Sequence, residues 1–232
     1  MTEKTRTFEK IAYIRNGFTT KFGIPRQSGL AEISSEIIFY PEYRVAEAFR
    51  GLEEYSHLWL LWEFSEAVRE NWSPTVRPPR LGGNQRMGVF ATRSPFRPNP
   101  IGLSVVKLIK IDWEREEGPV LLVSGADLMN GTPIFDVKPY LPYVDSHPDA
   151  RTGFAGRVMD YKLQVVFPEV YKKKVPPCEV ENLIQLLRQD PRPAYQKDPE
   201  RIYGMEYAGL EVKFCVVDQV VTVCGITYVK NA

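Results

Sequence analysis

The sequence predicts a mainly β protein: a single antiparallel β-barrel followed by a small α+β unit. Three observations carry this reading. Short apolar or alternating runs recur through the first half with little helical spacing between them. That leaves no room for the crossover helices that parallel strands require. Closure into a barrel hides the edges that a flat sheet of such strands would expose.

Taken in order, residues 11–14 and 36–40 read as strands. Residues 57–64 (HLWLLWEF) are almost continuously apolar, as in a strand buried on both faces. Between them, Val45, Ala46, Phe49 and Leu52 fall at helical spacing after Pro41 and predict one helix, weakened at Gly51. Further strands are expected at 87–91, 103–111 and 120–124. The polar stretch DSHPDARTGFAG then ends the first unit, with the boundary placed at Gly156, giving units 1–156 and 157–232. The second unit reads as a strand at 162–167 and a helix at 179–189 with Val180, Leu183, Ile184 and Leu187 on one face. A proline-rich turn (DPRPAY) and strands near 202–207, 210–217 and 220–229 complete it.

The composition bounds the function. With 232 residues, 44% hydrophobic, and 30 basic against 29 acidic side chains, the chain is neither a disordered tail nor a supercharged nucleic-acid coat. No apolar run approaches the roughly 18 residues of a membrane span, and the charged N-terminus is unlike a signal peptide. Three cysteines, Cys178, Cys215 and Cys224, with no close pairing suit a reducing cytoplasm. Two histidines and no clustered cysteine make a metal site unexpected.

The positive charge is local. Up to residue 156 there are 19 basic and 19 acidic residues, yet residues 74–104 (PTVRPPRLGGNQRMGVFATRSPFRPNPIGLS) hold five arginines, six prolines and no acid. Arg77, Arg80, Arg86, Arg93 and Arg97 suit forked contacts to phosphate and stacking on bases, and the prolines hold them in place before a ligand arrives. A second constellation is DLMNGTPIFDVKPYLPY, residues 127–143. Its Asp136, Lys138 and Tyr140 share one face of a strand, either as a polar pocket or as an ion-paired surface. A third is FGIPRQ, where Arg26 and Gln27 offer forked donors and an amide behind a fixed proline. Ser65 and Glu66 lie just past the strand at 57–64, where a carboxylate can accept ribose hydroxyls. No G-x-G-x-x-G follows a strand and LGGNQRMG is not a P-loop, so a Rossmann-type site is not expected. With two histidines, no Ser-His-Asp framework stands out.

The phrases FGIPRQSGL, RGLEEYSHLWLLWEF, PTVRPPRLGGNQRMGVFATRSPFRPNPIGLS, DLMNGTPIFDVKPYLPY and DPRPAYQKD together resemble the TsaA-like family, also called TrmO. The resemblance runs from about residue 11 to the C-terminus, and DPRPAY is similar to the mark of its longer, bacterial-type members. It implies a cytoplasmic, homodimeric, S-adenosylmethionine-dependent tRNA methyltransferase on a β-barrel. The implied target is N6 of the threonylcarbamoylated adenosine 3′-adjacent to the anticodon in threonine tRNA. Carried over by residue, the implied cofactor pocket comprises Pro25, Arg26, Gln27, Ser65, Glu66, Arg93, Leu103 and the turn Asp127, Leu128, Met129 and Asn130. Spacing offers Asp136 as a base for the N6 proton, with Lys138 and Tyr140 orienting the substrate. The tRNA would meet Arg77, Arg80, Arg86 and Arg97, with Arg192, Tyr195 and Lys197 of the second unit. The run Lys172 to Lys174 reads first as a solvated charged face, with a further phosphate contact as the alternative. The alternatives are a non-catalytic RNA-binding barrel and a small-molecule methyltransferase.

Overall fold

The computed structural model describes residues 7–68, 71–78, 85–158, 161–192, 196 and 198–229. Its first unit contains β1 (Ala12–Arg15), β2 (Ser34–Phe39), β3 (His57–Glu63), the short β4 (Thr75–Val76) and β5 (Met87–Gly88), then β6 (Ile101–Asp112), β7 (Val120–Ser124) and β8 (Pro133–Pro139). Strands β1, β2, β7, β6, β3 and β8 pair antiparallel in that order and close into a barrel, while β4 and β5 pair with each other.

Alternation decides which side chains enter the barrel. Leu58, Leu60 and Trp62 of β3 face the same core as Ile37, Val106, Leu108, Leu121, Val123 and Ile134. Burying side chains of this size stabilises by about 1.5–3 kcal/mol each, so a one-residue slip of β3 would lose several such terms at once. The expectation that β3 is buried on both faces is corrected here: His57, Trp59, Leu61 and Glu63 point outward and are only half-buried. The expected helix after Pro41 is also replaced, by three separate 3-10 turns at Pro41–Tyr43, Ala46–Phe49 and Leu52–Glu54. Only Phe49 of that segment's apolar residues is buried, edge-on to Phe39, and Gly51 breaks the run in a left-handed conformation. With Tyr43 and Leu52 only partly buried on the barrel beside Phe49, and Val45 exposed, the segment has no continuous apolar stripe to hold an amphipathic helix.

After β8 the chain makes a single turn of helix, α1 (Pro142–Asp145), whose Asp145 carboxylate accepts hydrogen bonds from the Leu141 amide and the Trp59 indole. The second unit follows with β9 (Gln164–Val166), α2 (Glu169–Lys172), α3 (Pro177–Arg188), β10 (Tyr203–Tyr207), β11 (Leu210–Val217) and β12 (Val220–Tyr228). Its sheet runs β10-β11-β12-β9, with β9 parallel to β12 and the other pairs antiparallel. Leu183, Leu186 and Leu187 of α3 cover the sheet residues Met205, Val212, Phe214 and Val221.

The 16–33 connection between β1 and β2 does not belong to the barrel core. Phe18, Ala31 and Ile33 are buried in the second core, and Phe18 packs on Tyr207. Backbone and side-chain hydrogen bonds seal the join, from the Ala208 amide to the Gly17 carbonyl and from the Glu32 amide to Gln185 Oε1. The second unit is thus built onto the loop that carries FGIPRQ.

Candidate active site

A cavity of about 880 Å³ opens at the end of the barrel where β3 stops and β6 begins. Four segments line it. The β1–β2 connection contributes Lys21, Ile24, Pro25, Arg26 and Gln27; the end of β3 and its following turn contribute residues 62–67. The loop before β6 brings Phe90, Thr92, Arg93 and Arg97, and the turn after β7 brings Asp127 and Met129. Leu103 adds an apolar patch from the outer face of β6.

Local hydrogen bonds fix these walls. The Thr92 hydroxyl donates to the Val89 carbonyl and accepts from the Ser94 amide, while the Phe96 amide donates to the Ser94 hydroxyl. Arg97 Nη1 donates to the Thr92 carbonyl at 3.2 Å, so this loop is held by its own hydroxyls as well as by its prolines. Across the cavity, Arg93 Nη1 donates to Gln27 Oε1, and Gln27 in turn donates to the Arg26 carbonyl. Lys21 Nζ donates to the Glu66 carbonyl at 2.6 Å, tying the β1–β2 connection to the turn after β3.

At the floor, polar groups form a directed chain. The Trp62 indole donates to the Ser104 hydroxyl at 3.0 Å, and Ser104 donates onward to Asp127 Oδ1. Ser104 is buried because it faces into the barrel opposite Leu60, so its hydroxyl has few other orientations open to it. Burial pushes the Asp127 carboxyl above the ordinary carboxylate range; the Ser104 bond, backbone amides and the Arg93 charge oppose this without cancelling it. An enclosed carboxylate held in that state favours a cationic ligand group beside it.

Of the residues implied for a cofactor, Pro25, Arg26, Gln27, Ser65, Glu66, Arg93, Leu103, Asp127 and Met129 all line this cavity. Leu128 and Asn130 do not. Alternation turns the Leu128 side chain into the barrel core, and Asn130 uses its Oδ1 to accept from the Asn16 amide. Sequence reading passed over Trp62, Phe64, Phe90 and Thr132: Trp62 is an inward strand residue that looks like any core residue, and the other three lie in connections beside strands or turns, where nothing in the sequence marks a cavity wall.

Asp136, Lys138 and Tyr140 are not brought into the cavity. Asp136 and Lys138 stand on the outer wall of β8 beside Leu61 and Trp59, joined to each other at 2.8 Å. Tyr140 packs against the Trp59 and His57 rings. Among the arginines, Arg77 and Arg86 are exposed on the β4–β5 ladder and its flanks, and Arg97 lines the cavity. Arg80, Tyr195 and Lys197 lie outside the described residues. Arg192 departs from its expected role. It is buried, and its guanidinium grips Asp190 rather than facing solvent. The lysine run is engaged locally too, Lys172 with Glu169 and Lys174 over the Tyr171 ring. Among the described residues no cluster of histidine, cysteine or acid could hold a metal, and no helix is long and apolar enough to cross a membrane.

A closed antiparallel barrel with an arginine- and acid-lined cavity at its rim, joined to an α+β unit, defines a barrel enzyme outside the Rossmann class. Family models agree in detail: residues 13–146 match the tRNA-methyltransferase O N-terminal domain and residues 160–229 the TrmO C-terminal domain. The chain belongs to the TrmO family of tRNA methyltransferases. It is 42% identical over 220 residues to the tRNA (adenine(37)-N6)-methyltransferase of Escherichia coli K12, covering 91% of this chain and 93% of that protein. It is 43% identical over 218 residues to a putative S-adenosylmethionine-dependent methyltransferase, RcsF, of Pseudomonas aeruginosa, covering 90% and 91%. The crystal structure of TrmO from Pseudomonas aeruginosa superposes with a TM-score of 0.78 at 35% identity, covering 96% of this chain and 99% of that one.

Proposed function

We propose that this enzyme transfers a methyl group from S-adenosylmethionine to N6 of the threonylcarbamoyladenosine 3′-adjacent to the anticodon in threonine tRNA, acting in the cytoplasm as a homodimer. The observation that carries the reading is the convergence of Asp127, Arg93 and the Pro25–Gln27 stretch on one cavity of about 880 Å³, ample for a nucleoside ligand. The donor set fits the group. Pro25, Phe64, Leu103 and Met129 supply apolar walls for an adenine, Ser65 and Glu66 supply acceptors for ribose hydroxyls, and Arg93 supplies a fork for a carboxylate. Asp127 supplies the negative charge that a sulfonium favours.

When bound, S-adenosylmethionine supplies an electrophilic methyl carbon. The chain's own residues orient and enclose. The Trp62–Ser104–Asp127 chain fixes the carboxylate, and the stapled loop around Thr92 holds Arg93 and Arg97 in place. Because a urea-like acceptor nitrogen is weakly nucleophilic, such fixed orientation contributes much of the rate. On the acceptor side, Trp72 and Phe90 stack with ring centroids 6.0 Å apart and both stand exposed, Phe90 at the cavity wall. They offer an aromatic face to a base splayed from the anticodon loop, with Arg77 and Arg86 nearby for phosphates. Exposed Ile101, Leu103 and Ile109 on the outer face of β6 favour pairing of two copies.

This reading gives Asp136 no part within the cavity. Its ion pair with Lys138 is solvent-exposed and of the kind that contributes little. Asp136→Asn is therefore expected to change donor affinity and turnover by less than about fivefold, since exposed pairs are worth about 0–1 kcal/mol; a loss of turnover well beyond tenfold would restore Asp136 as the base. The decisive test of the function is mass spectrometry of nucleosides from threonine tRNA, in cells with and without the gene. Disappearance of the N6-methylated threonylcarbamoyladenosine is expected. Its persistence would refute the assignment.

A further inference from the structure

Arg26 of the cavity is held from the second unit. Its Nη2 donates to the carbonyl oxygens of Asp190, at 2.8 Å, and of Arg192, at 2.7 Å, both in the turn that follows α3. That turn is itself locked. Asp190 adopts a left-handed conformation with φ of 50°, which few residues other than glycine take but which aspartate tolerates. Arg192 closes on it: its amide and Nε donate to Asp190 Oδ1 at 3.3 and 2.9 Å, and its Nη2 donates to Oδ2 at 3.1 Å. Both side chains are buried, and the Arg192 guanidinium also lies over the Tyr203 ring. Burial works against the Arg192 charge, but the bonds and charge of Asp190 outweigh it and keep the guanidinium protonated.

The geometry therefore forms a lever. Forked Arg192–Asp190 bonds fix the turn, the turn presents two carbonyls at a set spacing, and those carbonyls fix the guanidinium of Arg26. A smaller cavity of about 160 Å³ lies between residues 21–26 and the end of α3 with this turn. We propose that Asp190 and Arg192 are positioning residues for the donor site, acting through Arg26, so that the second unit sets the donor affinity of a cavity otherwise walled by the barrel's loops. The inference rests on reading that cavity as the S-adenosylmethionine site. A pre-positioned arginine loses less freedom on binding than a loose one, and its release weakens binding accordingly.

Titration calorimetry with S-adenosylmethionine and filter binding with threonine tRNA decide the matter, using the full chain, Arg192→Gln, Arg26→Gln and the double variant. Arg192→Gln is expected to weaken donor binding roughly tenfold through lost preorganisation while leaving tRNA affinity within about twofold. The double variant is expected to bind the donor no more weakly than Arg26→Gln alone, since both changes remove one coupled interaction. Hydrogen exchange of the donor-free protein should show amides at 22–28 exchanging faster in Arg192→Gln, with those of β3 unchanged. Unaltered donor affinity in Arg192→Gln, or strictly additive losses in the double variant, overturns the proposal; so does weakened tRNA binding alone, which would make Arg192 a docking residue. Should Arg192→Gln fail to fold, Asp190→Asn keeps the left-handed turn and one acceptor, and unaltered donor affinity there is equally fatal. If the unaltered protein ignores S-adenosylmethionine, the donor reading fails, and the exchange at 22–28 still decides whether Arg192 positions Arg26.

Discussion

Asp127→Asn is expected to remove most donor binding and at the same time raise the melting temperature. The two effects share one cause. Asp127 is held in a part-buried site where burial disfavours its charge, and the Ser104 hydroxyl, the backbone and Arg93 offset this only in part. Asparagine matches the neutral acid in shape, keeps an acceptor for Ser104, and carries no charge to enclose. The unfolded chain's carboxyl titrates in the ordinary range and the folded one above it. Stability from this group is therefore fully present below the unfolded pKa and is lost as pH rises through the folded value. The variant's advantage in melting temperature should be largest at neutral pH and vanish in acid. Donor binding runs the other way, because a cationic ligand selects the ionised carboxylate. Removing a charged partner of this kind costs about 1.5–3 kcal/mol, or roughly ten- to a hundredfold in affinity. In the unaltered protein, affinity should also fall as pH drops through the raised Asp127 pKa. Calorimetry and thermal melts at matched pH values test both limbs. A variant that binds the donor normally would take Asp127 out of the site, and one that melts lower would show that its charge is stabilising.

Much of the fold was legible because its strands obey period two. Residues 120–124 and 210–217 are strands at the bounds their sequence predicts: both are bracketed by turn formers, the first is a short apolar run and the second alternates against one core. The helix at Pro177–Arg188 was legible from the other period, that of 3.6 residues, with Leu183 and Leu187, four positions apart, among its buried residues. The segment after Pro41 was not. Its apolar spacing is helical, but Val45 is exposed and Gly51 is left-handed, and sequence does not say which apolar residues find a partner. The site divides similarly. FGIPRQ and the Asp127 turn were readable as motifs, and most of their residues reach the cavity; within the turn, alternation sends Leu128 inward and Asp127 and Met129 to the cavity. Arg192 was misread because an arginine in a proline-rich turn looks solvated until its carboxylate partner, two residues away, is seen to be buried with it.

Gly102→Ala is expected to be among the most damaging single-methyl additions in the barrel. Gly102 lies opposite Trp62 across the β3–β6 ladder at the cavity rim, with both facing inward. A Cβ at this position would stand 2.1 Å from Trp62 Cε2, 2.4 Å from Cζ2 and 2.5 Å from Cδ2, so the indole must leave its place. It is buried and packed on Phe64 with ring centroids 4.2 Å apart, so yielding toward the cavity it lines gives up that packing. Overpacking of this kind costs about 1–3 kcal/mol, and a displaced indole also leaves the Trp62–Ser104 bond unmade, adding about 1–3 kcal/mol. Urea denaturation should accordingly register a loss of roughly 2–6 kcal/mol at unchanged m-value. Function should fall with it, because Ser104 loses the donor that orients its hydroxyl toward Asp127. A second substitution separates steric from generic damage. Trp62→Phe replaces the indole by a shorter ring without the fused benzo part that carries Cζ2, so Gly102→Ala should be less harmful in that background than in the native one. Equal losses in the two backgrounds, or a Gly102→Ala protein within about 1 kcal/mol of the original, would mean that the rim relaxes freely and that the Trp62–Ser104–Asp127 chain does not set the cavity floor.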